Sequence, residues 1–524
     1  MCGLLLAGGA AWWLCQLSAI GFLSDDLVQL HDLGRDAGTP VWQWFHREYY
    51  GFYRPLTALA WRAQYQVWGT DPAGYRWVNA FLHLAAASGV YGVARGLSWP
   101  RPGAFLAAGL CVVTPGSAAA VLSIAGMTGL LAATFYLGAV TCSLHAQRLG
   151  RCGLPLALAV AGLALLSKET ALSLPAAVAV VHGLGRRGSW HSAGLRALPF
   201  AGLVSVYLAG RWLLFGHLGP TGLAQRSLDP LQWLANLALY GATTLVPWGL
   251  AAAKPLLRGN VVALVALAGV ALVSTLALVA RRWRAGDPMP ALAAAWLLVT
   301  AGPVLGLYSP WNAYLPAVGA ALLLAAAGGL PGPAPRLRRA MVAAWLVLAT
   351  IWQARHVAEW VDAGRLRERV VAAALVEGQR PGPWYLAGAP SEVGDVPVFG
   401  GAWGFDAAMR LAAAHNPPLV LPAVHYERAC GPTEAVVDAN GAILLRILDP
   451  ADFYRLDLLS VYSRDQLPSP GFSCNMAAGT VVVTAVGAQR QPVGLRVFPP
   501  LSPVAARVRV WDGVRLVPAG QVAD

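Results

Sequence analysis

Charged side chains are scarce in this chain. Lys, Arg, Asp and Glu make up 12% of its 524 residues, whereas hydrophobic residues make up 57%, and the mean hydropathy is +0.54. Soluble domains carry about twice that charged fraction, at ~25%. The shortage of charge excludes an ordinary soluble enzyme, and the composition predicts a polytopic α-helical membrane protein.

The signatures of several kinds of site are also missing. No two histidines stand at a metal-ligand spacing, and no P-loop or GxGxxG motif precedes a convincing helix. The use of a soluble nucleotide sugar is therefore unsupported. The sequence also lacks the internal repeat that is typical of transporters with two related halves.

Basic residues outnumber acidic ones by 38 to 25, which gives a net charge of +13. Such a charge is compatible with nucleic-acid binding, but the arginines fall in short clusters between apolar segments, which is typical of cytoplasmic loops. We therefore predict membrane lipid as a partner and no nucleic acid. The clusters are Arg148 and Arg151; Arg186 and Arg187; Arg281, Arg282 and Arg284; and Arg336, Arg338 and Arg339.

Twelve apolar segments are candidate membrane spans. They are 1–22, 75–95, 103–117, 119–143, 154–167, 170–183, 196–215, 232–249, 260–280, 289–308, 312–330 and 340–356. A span needs ~20 helical residues, so the short segments on either side of Lys168-Glu169 predict a bent or broken pair. The positive-inside rule holds if the segment with Pro247 is only a partial span, which leaves eleven crossings. The first segment lacks a basic start and a cleavage site, so we expect a retained helix.

The predicted architecture has three parts. Residues 1–357 form the membrane domain, with a first extracytoplasmic loop over 24–74. Residues 358–380 form an amphipathic connector, and residues 381–524 form a small β-rich domain with a hairpin turn at Asp438–Gly441. An odd number of crossings places that domain outside the cytoplasm, and we expect a bacterial-type inner (plasma) membrane. Its β-type runs are Val396–Gly400, Leu419–Tyr426, Ala435–Leu448, Thr480–Ala485, Val493–Phe498 and Ala505–Trp511.

Two of the seven cysteines, Cys430 and Cys474, belong to this C-terminal region, whereas the other five are in or beside apolar segments. An oxidising compartment would allow Cys430 and Cys474 to form a disulfide. Two separate buried thiols are the alternative.

An aspartate pair, Asp25 and Asp26, directly follows the first apolar segment. Acids at a membrane exit are costly and are functional candidates by default, although a pair here could instead cap a helix that begins near Leu27. The eleven-crossing topology places the pair on the non-cytoplasmic face together with four other polar features. These are the Thr114-Pro115-Gly116 turn, the Lys168-Glu169 turn, the Pro247 region and the turn from Tyr308 to Asn312.

Five blocks occur in a recognisable order. They are Tyr53-Arg54-Pro55-Leu56-Thr57, the segment from Arg76 to His83, the segment from Thr114 to Phe135, Leu165–Thr170 with the letters LLSKET, and Tyr314–Gly319 with the letters YLPAVG. Together they resemble the membrane-embedded GT-C glycosyltransferases. The most similar branch is the protein O-mannosyltransferase-like one that includes the transmembrane-TPR mannosyltransferases. The resemblance covers about residues 15–325, and this chain has no TPR repeats.

The resemblance implies a transferase that moves a sugar from a polyprenyl-phosphate-linked donor to a protein, lipid or glycan acceptor at the outer face, with inversion. Asp25 or Asp26 would act as the general base or help to hold a divalent metal, and Asp25 aligns with the family's first acid. The predicted ligands of the donor phosphate are Lys168, Glu169, Arg54 and Arg76. The remaining predicted pocket residues are Tyr53, Asn79, His83 and Tyr314.

Each assignment has an alternative. Lys168 and Glu169 could form an ordinary exposed ion pair, and Arg54 could extend to lipid headgroups. The stripe formed by Arg76, Asn79 and His83 could serve packing inside the helical bundle.

The chain departs from the family pattern where charged groups are expected. Thr114 replaces a histidine, Ala119 a glutamate, Met127 an arginine and Gly129 an aspartate. Either the sugar differs, or another residue replaces the missing charge, or the protein does not catalyse transfer. The competing function is a non-catalytic carrier, flippase-like or assembly protein on the same scaffold.

Overall fold

The computed structural model describes two compact units. One comprises Met1–Ser18 with Gly38–His356, the other Ala19–Ala37 with Val357–Asp524; we call them the first and the second unit. The described residues are 17, 19–219, 230–248, 280, 282–284, 286–306, 308–329, 335–379, 384–389, 392–394, 396–400, 402–412, 419–420, 433–447, 469–471, 473–476, 479–486, 492–499, 507–512 and 514–521.

Helices make up the first unit. We number all α-helices in chain order. Those that belong to the second unit are α1 (Asp25–Arg35), α14 (Ala402–Leu411) and the part of α13 (Pro335–Gly378) that follows His356. The remaining helices are α2 (Pro55–Trp68), α3 (Pro72–Gly96), α4 (Arg101–Val113), α5 (Pro115–Leu122), α6 (Met127–His145), α7 (Gly153–Ser167), α8 (Leu174–Val180), α9 (Trp190–Phe215), α10 (Pro230–Leu245), α11 (Met289–Ala301) and α12 (Tyr314–Gly329). Short 3-10 turns include Val41–Phe45, Glu169–Ser173, Gly302–Val304 and Pro310–Asn312.

The prediction of an integral membrane protein is confirmed by the helices. Among the described residues, four helical stretches are long and apolar enough to cross a membrane: Met127–His145, Gly150–Ser167, Trp190–Phe215 and Arg336–Gly378. The pair α4 and α5, bent by 57°, would be a fifth. The count of eleven stays a prediction, because most of segment 1–22 and nearly all of 260–280 lie outside the described residues.

The boundaries of two predicted spans are corrected. Segments 103–117 and 119–143 form three helices, because the chain breaks at Thr114 and again between α5 and α6. Pro115 requires an extended residue before it, and Thr114 has φ −69° and ψ 134°. At the second break, a Cβ on Gly126 would lie 2.1 Å from the Ala120 carbonyl oxygen, so only glycine fits there.

The predicted break between segments 154–167 and 170–183 is confirmed. Helix α7 ends at Ser167, Lys168 is extended with φ −160° and ψ 144°, and a 3-10 turn leads into α8. The break places two consecutive charged residues inside an apolar bundle.

Small residues allow the helices of the first unit to approach closely. A Cβ on Gly89 would lie 2.7 Å from Leu137, and one on Gly92 would lie 2.7 Å from Thr141. Glycine at such contacts is typical of helix packing in membranes, where backbone proximity provides the van der Waals contact. Helix α3 is thereby held against α6.

The second unit carries β-structure among its described residues. Its strands are β1 (Tyr385–Ala387), β2 (Glu392–Val393), β3 (Val396–Pro397), β4 (Leu419–Val420), β5 (Thr433–Val437), β6 (Ile443–Ile447), β7 (Ser473–Met476), β8 (Gly479–Val486), β9 (Pro492–Phe498), β10 (Val508–Trp511), β11 (Leu516–Pro518) and β12 (Gly520–Gln521). The order is β11-β10-β1-β4 in one sheet and β12-β5-β6-β9-β8-β7 in another, and β2 pairs with β3. Alternating apolar residues such as Ile443, Leu445 and Val497 form its core.

The predicted hairpin is confirmed. Strands β5 and β6 pair with Val437 opposite Ile443, and the Asp438 carboxylate accepts the backbone N–H groups of Asn440 and Ala442. The Ala442 amide, followed by the side chain of Arg496, lowers the pKa of the Asp438 carboxyl. The turn is therefore held by an ionised acid.

The disulfide prediction remains untested, because Cys430 and the side chain of Cys474 lie outside the described residues. The chain also runs as one helix, α13, from the expected last span into the expected connector.

Candidate functional site

Lys168 occupies the break between α7 and the following 3-10 turn. Its side chain is buried, with the residue 6% exposed, and its ammonium donates to Asn312 Oδ1 at 2.8 Å. A Cβ on Gly129 would lie 3.7 Å from Lys168 Nζ. The space beside this ammonium is thus free of a side chain from Gly129, where the related branch carries an aspartate.

Glu169 and Arg54 form a two-point ion pair. Arg54 Nε donates to Oε2 at 2.9 Å and Nη2 donates to Oε1 at 2.6 Å, while the guanidinium stacks over the Phe52 ring at 3.9 Å. The fork geometry of arginine suits such a pair. The Arg54 guanidinium is therefore directed at Glu169, and Lys168 and Glu169 are both buried rather than an exposed pair.

Tyr53 lies beside this pair in the chain. Its hydroxyl donates to the Phe45 carbonyl at 3.3 Å, and Tyr207 of α9 donates to the Tyr53 carbonyl at 3.4 Å. Burial raises the pKa of the Tyr53 hydroxyl, so it stays protonated as a donor. These contacts connect the loop before α2 to α9.

A second buried ion pair was not predicted. Arg211 of α9, 3% exposed, donates to Glu48 Oε1 at 2.7 Å, and His217 lies 3.3 Å from the other oxygen of Glu48. The available signal was Arg211 in the interior of apolar segment 196–215, because an ionisable residue within a span needs a partner.

Four of the five polar features expected on one face lie in the first unit, and the structure brings them together. Thr114 Oγ1 donates to the carbonyl of Thr244, three residues before Pro247, at 3.3 Å. Helix α5, which follows Thr114, packs against the turn Pro310–Asn312, and Asn312 receives the bond from Lys168. The assignment of this cluster to the outer face stays a prediction.

The polar stripe on α3 holds backbone carbonyls at the broken helices. Arg76, 0% exposed, donates to the Leu122 carbonyl, and Asn79 Nδ2 donates to the carbonyl of Ser123 at 2.7 Å. Buried carbonyls at helix ends need such donors. These contacts favour the packing alternative for Arg76 and Asn79 over phosphate or pocket binding.

His83, one turn further along α3, also contacts a helix end. Its Nε2 lies 3.2 Å from the Val112 carbonyl, and its Nδ1 lies 2.6 Å from the hydroxyl of Tyr314 on α12. The pair links α3, α4 and α12 inside the bundle, which again favours packing.

The aspartate pair belongs to the second unit and stands in the first turn of α1, two residues earlier than the predicted helix start near Leu27. The two acids differ in their surroundings. Asp26 is 1% exposed and its Oδ2 accepts the Leu23 N–H at 3.4 Å, whereas Asp25 is exposed. Ser24, just before them, has φ 49°, a conformation that L-residues rarely adopt.

Asp25 and Asp26 are also the predicted metal ligands. Within the described part of the chain, no group of three or more His, Cys, Asp and Glu residues is placed to hold a metal ion. Because two neighbouring carboxylates do not complete a coordination shell, we derive no step through a metal.

No family model matches the chain. A segment of 126 residues, 24% of this chain, is 37% identical to Protein O-mannosyl-transferase Tmtc1 of Drosophila melanogaster. That segment spans only 15% of the relative's length. The resemblance to mannosyltransferase-like proteins that the sequence blocks indicate is thus confirmed for a part of the chain.

Two solved structures are also similar, both of ArnT from Cupriavidus metallidurans. The apo structure has a TM-score of 0.46 and 14% identity, and covers 81% of this chain and 86% of that one. The structure bound to undecaprenyl phosphate has a TM-score of 0.42 and 15% identity, and covers 80% and 86%.

Proposed function

We propose that the protein is a membrane glycosyltransferase that moves a sugar from a polyprenyl-phosphate-linked donor to an acceptor hydroxyl at the outer face, with inversion. The observation that carries the proposal is the pair of cations in the first unit, in which Lys168 is buried and Arg54 is partly buried. The Lys168 ammonium donates to the Asn312 amide oxygen, and the Arg54 guanidinium pairs with the Glu169 carboxylate, so the first unit brings two cations to this region. Buried cations in an apolar unit suit an anionic ligand.

The proposed reaction explains why an anionic phosphate is the expected ligand of these cations. The acceptor oxygen forms a bond to the anomeric carbon while the bond from that carbon to the phosphate oxygen breaks, and the departing polyprenyl phosphate keeps the electron pair. Lys168 stabilises the negative charge that grows on the departing phosphate. Arg54 contributes a second positive charge while it remains paired with Glu169.

The acceptor proton needs a base, and Asp25 is our assignment. Asp25 is exposed, so its carboxylate is accessible to an incoming hydroxyl, whereas Asp26 is buried and bound to the backbone. A positioned base contributes ~10²–10⁴-fold to such a transfer. Asp26 then shapes the loop that carries the base.

The test measures binding and transfer separately in the purified protein. Polyprenyl phosphate is the binding probe, and a polyprenyl phosphate that carries a labelled hexose is the donor, with membrane extract as the source of acceptors. We expect Lys168→Met to weaken binding of the probe by about 10–100-fold, which is the loss of one or two charge-assisted hydrogen bonds. The control is Arg151→Met, which removes an exposed cation and should leave binding unchanged.

Two outcomes would contradict the proposal. Wild-type protein that binds the probe but transfers no hexose would point to a carrier. Equal binding of the probe by wild type and Lys168→Met would show that the phosphate does not bind at this cluster.

A further inference from the structure

The segment that carries the aspartate pair is supported by the C-terminal part of the chain. Residues Ala19–Ala37 group with Val357–Asp524 in the second unit, although more than 300 residues separate them in sequence. The sequence blocks that resemble known transferases end near residue 325, so no role follows from them for this support.

Three contacts make the support. The first is a backbone hydrogen bond, in which the Ser24 N–H donates to the Val398 carbonyl at 2.9 Å. It fixes the residue immediately before Asp25. Ser24 has φ 49° and ψ −120°, and a conformation of this kind persists only where its surroundings impose it.

The second contact is made by side chains. Helix α1 packs against α14, and the apolar residues Leu27, Leu30 and Leu33 of α1 are buried. Phe399, next to Val398, makes an edge contact with Phe405 of α14 at 5.0 Å. The hydrogen bond and the helix packing therefore belong to one packed support.

The third contact lies where the segment passes α13. A Cβ on Gly364 would lie 3.2 Å from the Gly21 nitrogen, and a Cβ on Gly21 would lie 3.0 Å from Arg367 Nη2. The Gly21 backbone thus packs closely against α13 at Gly364, which has no side chain. A methyl group at Gly364 would require a shift of a few tenths of an ångström.

We infer that the second unit positions Asp25 for transfer, with Leu30 and Gly364 as positioning residues that act through α1 and the loop before it. The inference rests on the proposed function, because it takes Asp25 as the base. Small displacements of a reacting group reduce turnover steeply, up to ~10²-fold for 1 Å.

The first experiment compares two leucines of equal burial. Leu30 and Leu445 are both 3% exposed and both lie in the second unit, but Leu445 belongs to β6. Leu30→Ala and Leu445→Ala should lower thermal stability to a similar extent. We expect only Leu30→Ala to lower kcat, by about tenfold or more, with unchanged affinity for polyprenyl phosphate.

The second experiment uses two helical glycines. Gly364→Ala brings a methyl group against Gly21, whereas Gly202→Ala in α9 has nothing within 4 Å of its methyl group. Both changes favour helix formation equally, so stability is not lost for that reason. We expect Gly364→Ala to lower kcat severalfold and Gly202→Ala to leave it unchanged; if Leu30→Ala does not fold, this pair decides alone.

The outcomes separate the inference from the function on which it rests. Absence of transfer activity in the wild-type protein would contradict the proposed function itself. An active wild type with unchanged kcat in both Leu30→Ala and Gly364→Ala overturns the positioning role. Parallel losses of kcat, probe affinity and stability in Leu30→Ala and Leu445→Ala would mean that the support is only structural.

Discussion

The two neighbouring aspartates should respond differently to the same isosteric change. Asp25→Asn removes an exposed carboxylate, and substitutions at exposed positions usually change the free energy of unfolding by less than about 0.5 kcal/mol. If Asp25 is the base, transfer should fall by ~10²-fold or more while stability stays at the wild-type value.

Asp26→Asn should act mainly on the fold. The Asp26 carboxylate is buried and accepts the Leu23 N–H at 3.4 Å, a long bond that ionisation strengthens. An amide can still accept this bond, but without the charge. We therefore expect a loss of about 1–2 kcal/mol in the free energy of unfolding, within the range for a weakened buried hydrogen bond.

The assay is single-turnover transfer of labelled hexose from the lipid donor, with thermal unfolding measured on the same samples. Asp25→Glu is a useful companion, since it keeps the carboxylate but moves it by one methylene group. Wild-type transfer in Asp25→Asn would refute the assignment of the base. A ~10²-fold loss confined to Asp26→Asn at unchanged stability would transfer the role to Asp26.

Three further predictions concern groups whose contacts the structure supplies. Glu169→Gln should lower the free energy of unfolding by about 2–4 kcal/mol, because it leaves the partly buried Arg54 without its carboxylate, and equal melting temperatures would contradict this. Tyr314→Phe should cost about 1–3 kcal/mol through its lost bond to His83, with turnover per folded molecule unchanged; a large kcat loss at wild-type stability would argue for catalysis. The pKa of Asp438 is lowered on folding, so its stabilisation of the hairpin is complete above the ordinary aspartate pKa and is lost as the pH falls through the folded value. Hydrogen exchange of the turn amides should show that loss in wild type and not in Asp438→Asn.

Local breaks in the chain could be predicted because neighbouring residues encode them. The charged pair Lys168-Glu169 interrupts two short apolar segments, and Asp438 begins the hairpin turn, whereas the helix break before Pro115 was missed within the predicted span 103–117. Composition likewise identified the membrane-protein class without any tertiary information. These features depend on a few adjacent residues or on the composition of the whole chain, so the sequence alone is sufficient to predict them.

The partners of the charged residues were decided by the tertiary structure. Arg54 and Glu169 are 115 positions apart, and Lys168 and Asn312 are 144 apart. Which buried cation meets which acceptor depends on how the helices pack, and no local pattern encodes that choice. The donation from Arg76 to the Leu122 carbonyl at the end of α5 likewise depends on helix packing and not on a local pattern.

The aspartate pair combines both cases. Its place after an apolar segment identified it as a functional candidate from sequence alone, because acids are costly there. Only the structure distinguished the exposed Asp25 from the buried Asp26, because both residues are aspartates and their burial depends on residues that are distant in sequence. The attachment of this segment to residues beyond Val357 was likewise decided in three dimensions, where a backbone hydrogen bond and apolar packing join parts of the chain that no sequence spacing relates.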